Sequence, residues 1–457
     1  MKNRIILPER LQYAAYEAAF DGENEAGAWL LLSRVETSRG YNLIVREVIP
    51  LEPPEIVIAS PGMLRVRTEG FVRLMKRAER ENATLGFLHG HPGGYDRFSV
   101  MDDENESNLW LALRKRFGDT HPLGSLLALP NGTWRGRVWA GSGHPISVPV
   151  RVNGAHNKLH DCAVLGETEQ AHLSRQALLF GAVFNQQLAS LRIVVVGAGG
   201  TGSPLCLMLA RSGVRHLTVI DPDYIEDTNV HRNYIASMNN IGEAKAEQAK
   251  AEIDRLGLGV HCEPYIAHVS DEVCREALKK ADVVICATDD HAGRVFLNRF
   301  AYCYETLVID MGLAADIAED GSIADITGRV TRLHPGAPCL ICRKVINLRK
   351  AREEHLRRTD PDAYASQAAE GYVIDQGDPE PAFIAMTTSV ATMAHEELVQ
   401  CFSQYRGAQN APAQRLRRFI QLEDRRSGGK PDSDCPVCGT GKLWSRGDMD
   451  PFLDQVN

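Results

Sequence analysis

Nothing in this chain approaches the roughly 18 consecutive apolar residues that a membrane-spanning helix needs, so no membrane partner is expected. The opening Met1-Lys-Asn-Arg-Ile-Ile-Leu-Pro8 lacks the apolar core of a secretory signal, which points to the cytoplasm. Internal repeats and low-complexity tracts are absent, which excludes a solenoid. Basic residues are outnumbered: the net charge of −8 argues against nucleic acid as the main ligand. The two densest basic runs, Arg343–Arg358 and Arg415–Arg418, read as solvated helical faces. Cysteine is not scarce, but four of the eleven fall into two Cys-x-x-Cys pairs, which fits a reducing compartment better than a disulfide framework.

What is present begins with Leu191-Arg-Ile-Val-Val-Val-Gly197-Ala-Gly199-Gly200-Thr-Gly202-Ser203, closed by Asp221. A short all-apolar run reads as a buried parallel strand, and the glycines let a backbone turn approach phosphates at a helix N-terminus. Leu217-Thr-Val-Ile220 then delivers an acid about 20 positions on, where a ribose hydroxyl would lie. Alone, this announces only a nucleotide. Its neighbours are more specific: Asp223, Asn229, Arg232 and Asn233, then Lys245, then Ala287-Thr-Asp289-Asp290-His-Ala-Gly-Arg294. A dehydrogenase has no leaving pyrophosphate to hold. An enzyme that splits ATP between its α- and β-phosphates needs cations, with magnesium, where charge grows on the bridging oxygen. Lys245 also opens an Ala/Glu/Lys-rich helix where a solvated face is the ordinary reading, and Asp289 or Asp290 suits an N-cap.

These segments resemble the ThiF/MoeB and ubiquitin-activating superfamily, whose members adenylate the C-terminal carboxylate of a ubiquitin-like or sulfur-carrier protein. The lead-in Leu173-Ser-Arg175-Gln-Ala-Leu-Leu-Phe-Gly181 carries the resemblance upstream, so that it covers roughly 170–440. The resemblance implies that Gly197, Gly199, Gly200 and Gly202 form the phosphate loop and that Asp221 binds ribose. Asn229, Arg232 and Lys245 would contact phosphates, and Asp289 would be the magnesium carboxylate. Arg175 matches an arginine that reaches the partner's ATP in dimeric members, so a homodimer is expected.

An earlier segment reads Gly86-Phe-Leu-His89-Gly-His91-Pro-Gly-Gly-Tyr-Asp-Arg-Phe-Ser99-Val-Met-Asp102. His-x-His on a strand puts both imidazoles on one face, and a helix-borne carboxylate completes three protein ligands. That leaves a fourth position open, the coordination of a catalytic zinc. The spacing resembles the JAB/JAMM metalloprotease signature, which implies zinc on His89, His91 and Asp102, oxyanion stabilisation by Ser99, and an upstream glutamate as general base. Glu25 is chosen because it opens an apolar run, with Glu23 the competitor. The bland reading of Ser99-x-x-Asp102 is a capping box.

Cys339-Leu-Ile-Cys342 and Cys435-Pro-Val-Cys438 make a closed tetrahedral thiolate site for a structural zinc, a pair common in ThiF-like enzymes. A redox pair or a disulfide is the alternative. Cys206 and Cys286 read as core, and Cys162, Cys262, Cys274, Cys303 and Cys401 have no activating context. Thioester-forming relatives usually place their nucleophile after the first knuckle, yet residues 343–400 contain no cysteine. The expected enzyme therefore stops at the acyl-adenylate and passes it to an external thiol or amine. Cys401 or a partner's cysteine is the alternative.

The expected architecture is α/β: a JAB/MPN-like α/β domain over 1–150, a linker and lead-in helix over 151–190, and a Rossmann-like ThiF-type adenylation domain over 191–457 with the four-cysteine zinc site. In the first domain, strands are expected near 28–34, 42–49, 84–90, 123–129 and 134–140, with helices near 8–20, 65–82 and 102–116. A helix near 169–188 precedes strands near 192–197, 216–221, 283–286 and 307–310, helices near 202–213, 242–256 and 291–302, antiparallel strands around 313–332, and a helix near 383–402. Fusions of this layout resemble bacterial proteins encoded beside ubiquitin-like modifiers and conjugating enzymes, some in antiviral defence. The expected function is ATP-dependent activation of one ubiquitin-like protein, with zinc-peptidase trimming or removal of it. Sulfur-carrier activation and a non-catalytic scaffold are the alternatives, and a conjugating enzyme or a sulfur-transfer protein is the expected downstream partner.

Overall fold

The computed structural model describes residues 3–119, 121–141, 143–160, 171–370, 373, 381–449 and 452–453. Cys162 and most of the 371–380 segment lie outside them. The chain divides into two compact units, one of Met1–Ala163 with Trp444–Met449 and one of Val164–Leu443 with Asp450–Asn457. The first unit thus runs past residue 150 and takes back a piece of the tail. Within it, Arg10 Nη2 donates to Ser445 Oγ at 2.6 Å, and the Glu36 N–H donates to Asp448 Oδ2 at 2.9 Å.

The first unit is built on a nine-stranded mixed sheet. Its central strand Gly27–Thr37 is antiparallel to both Thr84–Gly90 and Gly40–Pro50. Both faces of that strand are covered, which is why Ala28-Trp-Leu-Leu-Leu32 reads as one apolar run. Ala28, Leu30 and Leu32 pack with Ala15 and Ala19 of the helix Glu9–Ala19. Trp29 and Leu31 join Phe71 and Met75 of the helix Glu69–Arg80, and Leu109 and Leu113 of the helix Val100–Phe117. The helix expected near 65–82 starts later because Met63–Val66 pairs with Ile56–Ser60 as a ribbon. The strand Arg4–Pro8 was not anticipated; it lies parallel to Gly40–Pro50 and Val150–Asn153, pairings with distant partners.

In the second unit, five parallel strands run in the order His261–Tyr265, His216–Ile220, Arg192–Val196, Val283–Cys286, Leu307–Ile317. Connections leave Arg192–Val196 toward opposite edges, so a crevice opens beside its C-terminal end, the position where doubly wound sheets bind ligands. Three antiparallel strands extend the sheet: Ile323–Leu333, Gln414–Arg418 and Glu423–Ser427. The strand His261–Tyr265 and the helix Glu272–Lys280 complete the alternation that the sequence reading left blank. The single helix expected near 169–188 is two, Ser174–Phe180 and Ala182–Ser190, because Gly181 sits at φ +85° and ends the first. No described helix is long and apolar enough to cross a membrane.

The expectation of a helical face at Arg415–Arg418 is corrected: these residues form a strand. Arg415 Nη1 meets Glu396 Oε2 at 2.8 Å and Glu397 Oε1 at 2.9 Å, both on the helix Ile384–Ser403. Glu397 is 1% exposed and also receives Arg406, while Arg332 lies 3.6 Å away. Glu397→Ala leaves these guanidiniums without their shared counter-charge and is expected to cost about 3–5 kcal/mol. The loss would appear as a lower urea midpoint of the second unit; a midpoint equal to wild type would deny the network its structural role.

Candidate functional site

The turn after Arg192–Val196 packs so closely that two of its glycines have no substitute. A Cβ on Gly202 would lie 1.8 Å from the Gly197 carbonyl oxygen. One on Gly197, at φ +95°, would lie 2.8 Å from the Ala287 carbonyl. A Cβ on Gly199 would meet nothing within 4 Å, and one on Gly200 would meet the Arg232 side chain and the Thr387 methyl at 3.4 Å. The helix Gly202–Arg211 follows at once, aiming its N-terminal amides at the turn. Asp221 ties the turn down from the next strand. Its carboxylate accepts the N–H groups of Ala198 at 2.6 Å and Asp223 at 2.8 Å. Burial pushes the Asp221 carboxyl up to about 6, against the pull of Lys245 and those two amides.

Residues 226–233 fold over the same turn. Asn229 is buried, and its Oδ1 accepts the Glu226 N–H in a one-turn cap. Arg232 lays its methylenes against Gly200 and donates to the Thr228 carbonyl at 2.7 Å. Asn233, to which the sequence reading assigned no role, donates to the Ala198 carbonyl at 2.9 Å and so holds the turn from the other side. Lys245 is not on a solvated face. Its side chain is 12% exposed and its Nζ lies 2.9 Å from Asp223 Oδ2. The backbone bonds from Lys245 N to Asp223 O and from Ile225 N to Glu243 O clamp the two segments together.

Asp290 takes the capping role at the helix His291–Tyr304, accepting the Gly293 N–H. Burial opposes its ionisation, but His268, Thr288 and that N–H outweigh burial and bring the carboxyl down to about 2. The neighbouring Asp289 is exposed; among the described residues its carbonyl accepts from Arg294 Nη1 at 3.2 Å and its carboxylate makes no hydrogen bond or ion pair. A free carboxylate beside the crevice is the donor a magnesium ion would require. Arg175 is exposed on the helix Ser174–Phe180 and makes no hydrogen bond or ion pair among the described residues. Leu178 and Leu179 on the same helix are 90% and 74% exposed, so this apolar surface is uncovered among the described residues.

In the first unit, the end of Thr84–Gly90 brings together His89, His91 and Asp102, all buried, with donor atoms within 4.8 Å of one another. His89 Nε2 is 3.1 Å from Asp102 Oδ1, and His91 Nε2 is 3.5 Å from Asp102 Oδ2. His91 Nδ1–H donates to the Tyr95 carbonyl at 2.7 Å, which leaves Nε2 with its lone pair. Among the described residues neither buried ring nitrogen of His89 makes a hydrogen bond, Nε2 having only the ionic contact with Asp102. An orphaned imidazole beside a buried carboxylate and a second imidazole fits a divalent metal. Ser99 does cap the helix Val100–Phe117, its Oγ accepting the Asp102 N–H at 3.2 Å. The cap and the cluster are compatible, because the Ser99 N–H takes Oδ2 and Oδ1 stays toward His89. Glu25 is buried, 3.9 Å from His91 Nε2, whereas Glu23 is exposed. Burial raises the Glu25 carboxyl above its ordinary value, against the pull of both histidines.

Cys339, Cys342, Cys435 and Cys438 converge in the second unit. Cys339 Sγ is 3.7 Å from Cys435 Sγ, and Cys342 Sγ is 3.5 Å from Cys438 Sγ. A disulfide needs about 2.05 Å. Four thiolates at about 2.3 Å from zinc stand about 3.8 Å apart, so the cluster matches a tetrahedral metal site. Outside this cluster, Cys206, Cys262, Cys274, Cys286, Cys303 and Cys401 are all buried. Burial raises the Cys401 thiol, against the opposing effect of Arg332.

Comparison with known proteins bears on the second unit. The SAMP-activating enzyme E1 of Haloferax volcanii is 35% identical over 156 residues, covering 34% of this chain and 54% of that protein. The adenylyltransferase and sulfurtransferase UBA4 of Candida albicans is 27% identical over 296 residues, 62% of this chain and 59% of the relative. That of Debaryomyces hansenii is 29% identical over 178 residues, 38% of each. The chain thus spans little more than half, or less, of the length of these relatives. A structure of E. coli MccB with ATP superposes with a TM-score of 0.46 at 18% identity, over 60% of this chain and 76% of that one. Residues 173–437, more than half of the sequence, match the ThiF family, and the chain belongs to it.

Proposed function

We propose that the second unit uses ATP and magnesium to adenylate the C-terminal carboxylate of a ubiquitin-like or sulfur-carrier protein. The observation that carries this reading is the gathering of polar groups around one glycine turn: Arg232 on Gly200, Lys245 on Asp223 and Asn233 on the Ala198 carbonyl. A carboxylate oxygen of the carrier attacks the α-phosphorus and the α–β bridging oxygen departs with pyrophosphate. Lys245, Arg232 and the helix N-terminus meet the charge that grows on that oxygen, and Asp221 holds the ribose. Magnesium, held by Asp289, would supply further neutralisation when bound. Arg175, exposed beside an apolar helix face, would act across a homodimer.

Relatives named as a SAMP-activating enzyme and as adenylyltransferase and sulfurtransferases support the carrier class and keep two fates open for the adenylate, conjugation and sulfur delivery. Every described cysteine outside the four-sulfur cluster is buried, which favours direct transfer to an external thiol or amine. The first unit is proposed to be a JAB/JAMM zinc peptidase or isopeptidase that trims or releases the same carrier. His89, His91 and Asp102 would hold the zinc, whose role when bound is to polarise the scissile carbonyl and activate water. Glu25, with its raised carboxyl, is placed to accept and return a proton, and Ser99 to donate toward the developing oxyanion.

Asp289→Ala is expected to lower carrier-dependent ATP–pyrophosphate exchange at least about 100-fold, the scale of losing one transition-state charge stabiliser. Wild-type exchange would remove Asp289 from the magnesium site. His89→Ala should lower zinc content by one equivalent and abolish cleavage of a carrier extended past its terminal glycine, with exchange intact. Simultaneous loss of exchange would contradict the assignment of separate sites. Cys438→Ser should also release one zinc and lower the melting temperature by roughly 6–12 °C, for about 3 kcal/mol lost. Unchanged metal content would place no zinc on the four cysteines.

A further inference from the structure

Arg294 has no part in the reading above, yet it belongs to a built cationic site. Asp310 is fully buried near the C-terminal end of the parallel strands, in register with Cys286, which pairs in turn with Val196. Two guanidiniums share this one carboxylate. Arg294 Nε lies 3.3 Å from Asp310 Oδ2, and Arg329 Nη1 donates to Asp310 Oδ1 and to Thr331 Oγ1. The trio therefore keeps one net positive charge.

The outer nitrogens converge. A Cβ built on Gly312 would lie 3.0 Å from Arg294 Nη2 and 3.1 Å from Arg329 Nη2. Neither Nη2 meets an acceptor among the described residues. Gly312 sits inside the strand Leu307–Ile317, opposite Arg329, without a positive φ. No turn geometry demands glycine there. What its missing side chain provides is the space into which the two guanidinium ends converge.

This spot lies two strands from the glycine turn, about 10 Å at the usual interstrand spacing. An extended peptide advances about 3.3 Å per residue, so a tail whose terminal carboxylate reaches the turn would pass Gly312 about three residues earlier. We infer that Arg294 and Arg329 bind an acidic side chain of the carrier protein about three residues before the carboxylate that is activated, and so select the carrier by its tail. The planar guanidinium pair suits a carboxylate geometrically as well as by charge. This inference rests on the adenylation reading.

The test uses the full chain and fluorescently labelled ten-residue peptides ending in Gly-Gly. Each carries one Glu at the third, fourth or fifth position from the free carboxylate, with Gln at the same position as its control. One Glu register should bind at least tenfold tighter than its Gln control, and Arg294→Gln or Arg329→Gln should bring the two within twofold. Gly312→Val keeps all three charged groups and should abolish the same preference, which decides the matter if an arginine variant fails to fold. No Glu preference at any register, including no binding at all, overturns the inference. So does a preference that survives Gly312→Val. Exchange measured alongside separates the two proposals: peptides that bind through the pair but never support exchange count against adenylation, whereas exchange without a Glu preference counts against the arginine pair.

Discussion

The second unit depends on one close approach, the contact of the Gly197 carbonyl with Gly202 across a turn that any side chain would break. Because those backbones touch, the helix Gly202–Arg211 starts immediately behind the strand and its free amides face the crevice. Asp221 and Asn233 then bind the turn from opposite sides through the Ala198 N–H and carbonyl. The peptide at Ala198 is thereby fixed at both ends. A site that stabilises charge appearing only in a transition state needs donors that do not have to reorganise, and this turn is held in that way.

Charge is handled differently in the two units. Around the glycine turn the polar groups are mostly paired with the protein itself, Lys245 with Asp223 and Asp290 with His268. Asp289 differs, an exposed carboxylate without a hydrogen bond or ion pair among the described residues. In the first unit His89 is among the buried groups without a hydrogen bond among the described residues, its Nε2 having only the ionic contact with Asp102 at 3.1 Å. A buried polar atom without a partner costs free energy unless something absent from the protein chain satisfies it. The four cysteines tell the same story in sulfur, spaced too widely for a disulfide and as a tetrahedral ion would space them.

Much of this was legible in the sequence where the relevant groups are neighbours along the chain. The glycine turn, His89-x-His91 and the two Cys-x-x-Cys pairs each place their groups within a few residues, so spacing alone picks out side chains that the fold brings together. The strand Thr84–Gly90 and the apolar first part of Gly27–Thr37 follow for the same reason, since apolar runs register burial on both faces, whereas the last three residues of Gly27–Thr37 lie beyond the expected 28–34. The strand Arg4–Pro8 was not legible because its register partners are 38 and 145 positions away, beyond any local pattern. Arg415–Arg418 misled because a run of like charges reads as solvated until Glu396 and Glu397 arrive from a preceding helix.

The sequence by itself determined the chemistry available: which residues can ligate metal, which turn can meet phosphate, and where no cysteine stands. Only the tertiary structure decided how that chemistry is distributed. It gave Asp290 the cap and left Asp289 outside, buried Glu25 and exposed Glu23, and set Arg294 and Arg329 on one carboxylate with their ends against Gly312. Each of these is a choice between similar side chains. It turns on burial and on partners many residues away, which no spacing rule records.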